Sequence, residues 1–408
     1  MISKNQPPII KLVFFGHNRK DAAIVRRVHS FMNADVDVTG FMFRRDGEPE
    51  KPGPKWRNID LGMVEHCQHA QRIFTLLRAI WRSTIHRDIL KKADIVYARN
   101  LDMLALAFVG LAFISKGRPK IVYECLDVHA AMTKSGLAGA VIRWFERIAL
   151  RRIDLLVVSS PGFIRNYFLP TQNYQGPHML IENKVYFANE VVARPIPEAL
   201  RGSASGPIII AWVGILRCQI TLDLLKELAK SEGDKVLIRF HGVISEFLIP
   251  DFKKQIAPFT NIIYEGSYQW PQGLAEAYRD VHFVWAQELS WSGHNSDWLL
   301  PNRIYEGSYF GALSLCVEGT ETGRAVAERG LGYVLEDSQH QTLIDFVCGL
   351  NREEVLEKQQ ALLNRPSSDF VADVGEVRNL VQRILFVEKS DTENLGLQGT
   401  RNESKPNR

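Results

Sequence analysis

The chain has 408 residues, 46% of them apolar and 24% charged, with a formal net charge of +4. That length exceeds what one ordinary core holds, so two domains are expected. The near-balanced charge excludes a protein that coats nucleic acid and confines any basic function to local patches.

In chain order, "IIKLVFFG" (9–16) is an apolar run ending in glycine and reads as a strand. "DAAIVRRVHSFMNA" (21–34) has helical spacing at Ala22, Val25, Val28 and Phe31, and "DVDVTGFMF" (35–43) is a second strand. Strand, helix and strand within so short a span open a doubly wound sheet. The alternation continues through strand 93–100, helix 101–115, strand 119–129, a helix near 136–152, strand 153–160 and a closing segment at 177–184. Residues 1–190 are therefore expected to form one α/β domain. The most apolar stretch, "LDMLALAFVGLAFISKG", carries Asp102 and falls short of the roughly 18 apolar residues that span a bilayer. It reads as a buried helix. The N-terminus lacks the apolar region of a signal peptide.

Residues 191–206 hold prolines, glycines and serines and read as a linker. A second α/β series follows over 207–368, with strands at 207–216, 235–242, 261–266, 281–287 and 332–337 and helices at 221–231 and 271–280. A helix at 369–389 is expected to return to the first domain, and the polar tail 390–408 to be disordered. The fold class is thus α/β, with two doubly wound domains and a ligand expected in the cleft between them. Five scattered cysteines with no C-x-x-C pair read as reduced intracellular thiols.

The densest chemistry lies in "SDWLLPNRIYEGSYFGALSL" (296–315). Pro301 suits the first turn of a helix, where no N–H is needed. That helix follows a strand, so its N-terminus sits at the carboxyl edge of the sheet, where free N–H groups favour an anion. Arg303 adds a permanent charge suited to phosphate oxygens. Glu306 lies one turn on and would repel phosphate, but it can accept from both ribose hydroxyls. Phosphate plus ribose means a nucleotide. The plainer reading of Arg303 and Glu306 is a surface ion pair.

These residues resemble the donor-binding motif of GT-B glycosyltransferases, the superfamily that includes retaining family four. The motif runs proline, any residue, Lys or Arg, two residues, Glu, small residues and an apolar strand. The resemblance is closest over 281–336 and extends loosely over 9–388. It implies that Arg303 meets the diphosphate and Glu306 the ribose, with Asn302 in the same first turn. "AWVGILR" resembles the strand and loop where a basic residue meets the diphosphate, which makes Gly214 and Arg217 donor-site candidates. "RFHG" resembles the strand ending near the base. One departure stands out: the family's other Glu, eight residues before the ribose Glu, is Trp298 here, with Asp297 beside it. Sequences of this shape look most like bacterial exopolysaccharide, succinoglycan-type glycosyltransferases.

In the first domain, "VYECLDVHA" (122–130) ends a strand in Tyr123, Glu124, Asp127 and His129. Glycosyl transfer needs a positioned acceptor hydroxyl, so Asp127 or His129 is the candidate base or sugar ligand. The alternative is that Asp127 caps the next helix and His129 is a satisfied buried histidine, while Glu124 bonds to backbone N–H groups. The loop "GHNRKD" (16–21) is not G-x-G-x-x-G and supports no dinucleotide site. No metal-ligand cluster is apparent, so no cofactor is expected beyond the nucleotide-sugar substrate. Two basic helices, 71–92 and 142–152, the latter aligning Arg143, Arg147 and Arg151, suit an anionic membrane surface or an ordinary solvated face.

The expectation is a hexosyltransferase moving a sugar from a nucleoside-diphosphate sugar, a UDP-sugar, to a lipid-linked glycan. It would be cytoplasmic or peripheral on the inner membrane face, with no nucleic-acid partner. The rivals are a sugar-nucleotide 2-epimerase of similar fold and a non-catalytic nucleotide-sugar-binding partner of another transferase.

Overall fold

Apolar runs closed by a glycine or a polar residue become parallel strands, and they assemble two sheets in this computed structural model. The structure describes residues 9–45, 51, 53–64, 69–112, 114, 117–187, 191–197 and 206–387. Part of the expected linker, 198–205, and the polar tail lie outside these residues. The chain divides into two units: one runs to Ser159, takes in Ile164–Ile181 and regains the chain from Val374, and the other holds Ser160–Phe163 and Glu182–Asp373.

The first unit contains β1 (Lys11–Gly16), β2 (Asp37–Arg45), β3 (Arg57–Val64), β4 (Ile95–Arg99), β5 (Lys120–Cys125), β6 (Leu155–Val158) and β7 (His178–Leu180). They lie in the order β3-β2-β1-β4-β5-β6-β7, all parallel. Helix Ala22–Asn33 starts at Asp21, whose carboxylate accepts from the amides of Ala23 and Ile24 at 3.0 and 3.1 Å. It packs with helix Val374–Phe386 on one face, where Ile24, Val28 and Phe31 share a core with Val377, Leu380 and Ile384. Right-handed crossovers put helices His69–Ile85, Leu101–Leu111 and Leu137–Leu150 on the other face. The sequence reading passes over β3. Its apolar residues Ile59, Leu61 and Met63 do alternate, but Asp60 interrupts them, and that carboxylate is buried because Arg44 of β2 pairs with it at 3.0 Å.

The second unit contains β8 (Ile208–Leu216), β9 (Val236–Ile244), β10 (Ile262–Gly266), β11 (Phe283–Trp285), β12 (Leu313–Val317) and β13 (Gly332–Leu335), in the order β10-β9-β8-β11-β12-β13, all parallel. Its core is dominated by Trp212, Phe240, Trp285 and Leu315. The described residues before β8 are held on this unit: Val185 bridges Val371, and Arg194 donates to the carbonyls of Tyr309, Arg365 and Leu362, each at 2.8 Å.

Both sheets reverse their winding once, between β1 and β4 and between β8 and β11. Beyond the strand ends at such a reversal, the loops leave in opposite directions and open a crevice.

Candidate functional site

At the β8/β11 reversal, three chain segments deliver charge to one place. Near the end of β8 lies Gly214, with φ at 111°, and its neighbour Gly242 in β9 has φ at 148°. A Cβ on Gly242 would overlap the Gly214 carbonyl, so glycine lets the two strand ends close up. Arg217 follows β8, its side chain 46% exposed, and its Nε donates to Glu288 Oε2 at 3.3 Å.

Helix Asn302–Tyr309 begins at Pro301, whose φ of −74° is preset by its ring. Asn302 and Arg303 are half-buried in its first turn. Arg303 Nη1 donates to the Trp285 carbonyl at 3.0 Å, which fixes the guanidinium at the carboxyl end of β11. Desolvation pulls Arg303 below its ordinary pKa, and the Glu288 carboxylate opposes that pull. One turn on, Glu306 is buried, and Trp270 Nε1 donates to its Oε1 at 3.1 Å. The plain surface ion pair is thus not what forms: Arg303 is turned to the strand end and Glu306 to an indole. Gly307 lets this helix lie on β11, since a Cβ there would come within 2.7 Å of Val284 Cγ1. The turn between this helix and β12 lies at Gly311, with φ at 83°.

Glu288 is a site residue that the sequence reading missed. It is buried beyond β11 and takes Ser290 Oγ at 2.7 Å as well as Arg217. Burial pushes its carboxyl up, but Arg303, Ser290 and Arg217 outweigh burial and hold it below the usual range. The only sequence signal is its place: a carboxylate three residues after a strand that feeds the motif. Trp298, where the resemblance puts a sugar-binding Glu, has its backbone against Gly162 and its carbonyl bonded by Ser160 Oγ. Asp297 accepts from the Gly293 amide and braces its own loop. Among the described residues, no group of three or more His, Cys, Asp or Glu could hold a metal ion.

The first sheet's reversal gathers a second constellation. Of the four polar residues expected at the end of β5, two point inward. Tyr123 is buried and donates to Glu146 at 3.0 Å. Glu124 is fully buried between Arg27, at 2.9 Å, and Arg99, at 2.7 Å, and not bonded to backbone N–H groups as expected, because two guanidiniums reach it first. Burial pushes the Glu124 carboxyl up, and Arg99 and Arg27 more than reverse that.

Asp127 and His129 are exposed beyond β5. It is His129, not Asp127, that caps the next helix: its Nδ1 accepts from the Ala131 amide at 3.2 Å. Accepting at Nδ1 puts the neutral ring's proton on Nε2, where His129 is a donor. Asp102, in the first turn of helix Leu101–Leu111, joins them. Desolvation raises its carboxyl pKa, while His17, just beyond β1, and His129 pull it down. In "GHNRKD" the polar groups serve the loop itself, since Asn18 Oδ1 accepts from the Lys20 amide at 2.9 Å and Asp21 caps its helix. The exposed carboxylates here are Asp127 and Asp102, beside two histidines.

No family model matches the chain. The succinoglycan biosynthesis protein ExoL of Rhizobium meliloti (strain 1021) is 36% identical over 379 residues, spanning 92% of this chain and 93% of that protein. Among solved structures, sucrose-phosphate synthase from Thermosynechococcus elongatus is similar at TM-score 0.65 and 13% identity, over 92% of this chain and 99% of that one. HepE of Anabaena, in complex with UDP-glucose, is similar at TM-score 0.61 and 14% identity over the same shares. At those identities the likeness is one of fold, and the fold is GT-B.

Proposed function

The chain belongs to the family of the succinoglycan biosynthesis protein ExoL, and on that footing we propose that it moves a hexose from a UDP-sugar to a growing, lipid-linked exopolysaccharide acceptor. The observation that carries this reading is the buried Glu306 carboxylate, set one helical turn behind Arg303 at the carboxyl end of β11. HepE, which shares the fold, was captured with UDP-glucose, which supports a UDP-sugar as donor.

In this reading Glu306 accepts from the ribose hydroxyls. Arg303, Arg217 and the N–H groups of the Asn302 turn face the diphosphate, with Gly214 giving it room beside the β8 end. Glu288 holds Arg217 in place before the donor arrives. The acceptor hydroxyl is oriented by the first unit's Asp127, Asp102 and His129. Its oxygen bonds to the anomeric carbon as the bond from that carbon to the diphosphate oxygen breaks. The hydroxyl proton passes to Asp127 or Asp102, and the leaving electron pair stays on the nucleoside diphosphate, neutralised by the arginines. A single displacement inverts the anomeric centre. The diphosphate needs no metal in this scheme, so turnover in excess chelator is expected to match turnover without it.

The test is incubation with a panel of nucleotide sugars, with and without membrane lipid extract, scoring nucleotide release. Release that requires extract is expected; epimer formation without extract would overturn the reading, as would tight binding with neither. In the same assay Asp127→Asn should keep donor affinity and lose roughly a hundred- to ten-thousand-fold of turnover. A retained anomeric configuration would demote Asp127 to a sugar ligand.

A further inference from the structure

No helix among the described residues is long and apolar enough to cross a membrane. Yet one face of the first unit shows apolar side chains that the fold does not cover. On helix His69–Ile85, Leu77, Trp81 and Ile85 are 55%, 58% and 50% exposed. They recur every four residues and form one stripe, opposite the buried Ala79 and Ser83. On helix Leu137–Leu150, Leu137, Val141 and Trp144 are 87%, 62% and 61% exposed, opposite the buried Gly139, Glu146 and Ala149. Helix Leu101–Leu111 lies between these two helices in contact with both, and its outward Val109 is 37% exposed. The stripes therefore belong to one layer and point the same way, off the sheet. A patch of this extent on a folded domain marks a surface that meets something.

Charge says what it meets. Over residues 75–92 there are five Lys or Arg (Arg78, Arg82, Arg87, Lys91, Lys92) against Asp88 alone. Over 134–152 there are five again, from Lys134 to Arg152, against Glu146, which is buried. Arg143 and Arg147 spend part of their hydrogen bonding on the carbonyls of Met132, Lys134 and Thr171, which fixes their heads beside the apolar stripe. Two exposed tryptophans among aliphatic residues, rimmed by cations with almost no exposed acid, match the layering of a bilayer surface. The indoles suit the headgroup boundary and the cations suit lipid phosphates.

We propose that the face formed by Leu77, Trp81, Ile85, Leu137, Val141 and Trp144 docks on a membrane of anionic phospholipid. This rests on the lipid-linked acceptor of the proposed function and adds which face does the docking. Docking holds the first unit, which carries Asp127 and Asp102, on the surface where such an acceptor resides.

The test is flotation of the full chain with vesicles containing about a third phosphatidylglycerol, against pure phosphatidylcholine, without donor or acceptor. Binding to the anionic vesicles, weakened by salt, is expected. The double variant Trp81→Glu, Trp144→Glu should lose roughly tenfold or more of that binding, with UDP affinity unchanged as a check of folding. Phe247→Ser, at a 92% exposed apolar residue of the second unit, should float like the wild type. Equal loss in Phe247→Ser, equal binding to neutral vesicles, or a double variant that binds normally would overturn the proposal. So would a change in sedimentation coefficient in the double variant with flotation unchanged, which would assign the face to a second copy of the chain. Failure here leaves the transferase reading standing, because nucleotide release is scored separately.

Discussion

Two clusters built from the same parts stand at the carboxyl edges of the two sheets. In the first unit Glu124 sits between Arg27 and Arg99, and no member of the cluster has a side chain more than 9% exposed. In the second unit Glu288 sits with Arg217 and Arg303, and Arg217 is 46% exposed. The chemistry is alike and the solvent access is not. A closed carboxylate with two guanidiniums has satisfied its charges internally, and opening it would strand a charge in low dielectric. In the open cluster one guanidinium can exchange its carboxylate for phosphate oxygens at little desolvation cost. The first cluster therefore holds the fold, and the second is available to a ligand.

Glu124→Gln should separate the two clusters most widely. Removing one partner of a closed cluster should cost about 3–5 kcal/mol, read by urea unfolding, with UDP affinity unchanged. Glu288→Gln should cost less, about 1–2 kcal/mol, because Arg217 can turn into water and only Arg303 is left without its carboxylate. Equal costs would erase the distinction. Next, Glu306→Ala should weaken UDP by about 1.5–3 kcal/mol in calorimetric titration with the unfolding midpoint held. Unchanged affinity would remove Glu306 from the site.

A third test uses another buried carboxyl of the first unit. Burial pushes Glu146 up to about 6, against hydrogen bonds from Tyr167, Tyr123 and Gln172 that pull it down. The folded chain then binds this proton more tightly than the unfolded chain does. Its contribution is unchanged below an unfolded value near 4.5 and turns unfavourable as pH rises through about 6. The loss is about 2 kcal/mol. Glu124, held low, acts in the opposite sense and loses stability as pH falls. Unfolding free energies across that window should lose the Glu146 slope in Glu146→Gln. An unchanged slope would show that Glu146 keeps its charge. At the exposed member of the open cluster, Arg217→Ala should weaken UDP about tenfold and leave uridine binding unchanged. Equal losses for both ligands would mean that Arg217 acts through the fold.

Much of this was legible along the chain. The alternation of apolar runs with helical spacing specifies parallel strands covered on both faces, because only that burial pattern suits uninterrupted apolar strands. The Pro301–Arg303–Glu306 spacing is local, and a helix turns local spacing directly into a shared edge, so the donor motif could be read from sequence. The exposed stripes of Leu77–Trp81–Ile85 and Leu137–Val141–Trp144 could not. Their spacing is that of any buried helix face, and only packing reveals that Ala79 and Gly139 face inward instead.

Local sequence sets the element types, the fold class and the helix that carries Arg303 and Glu306, since each depends on residues within a few turns of one another. The tertiary structure decided which distant strand ends become neighbours. Glu288 meets Arg217 because β11 lies beside β8, with β9 and β10 displaced to the far side. His17, Asp102 and His129 share a field because β1, β4 and β5 are adjacent in space. Tertiary structure also decided which carboxylate is sealed and which is reachable, because burial is set by what packs over a residue and not by its neighbours in the chain.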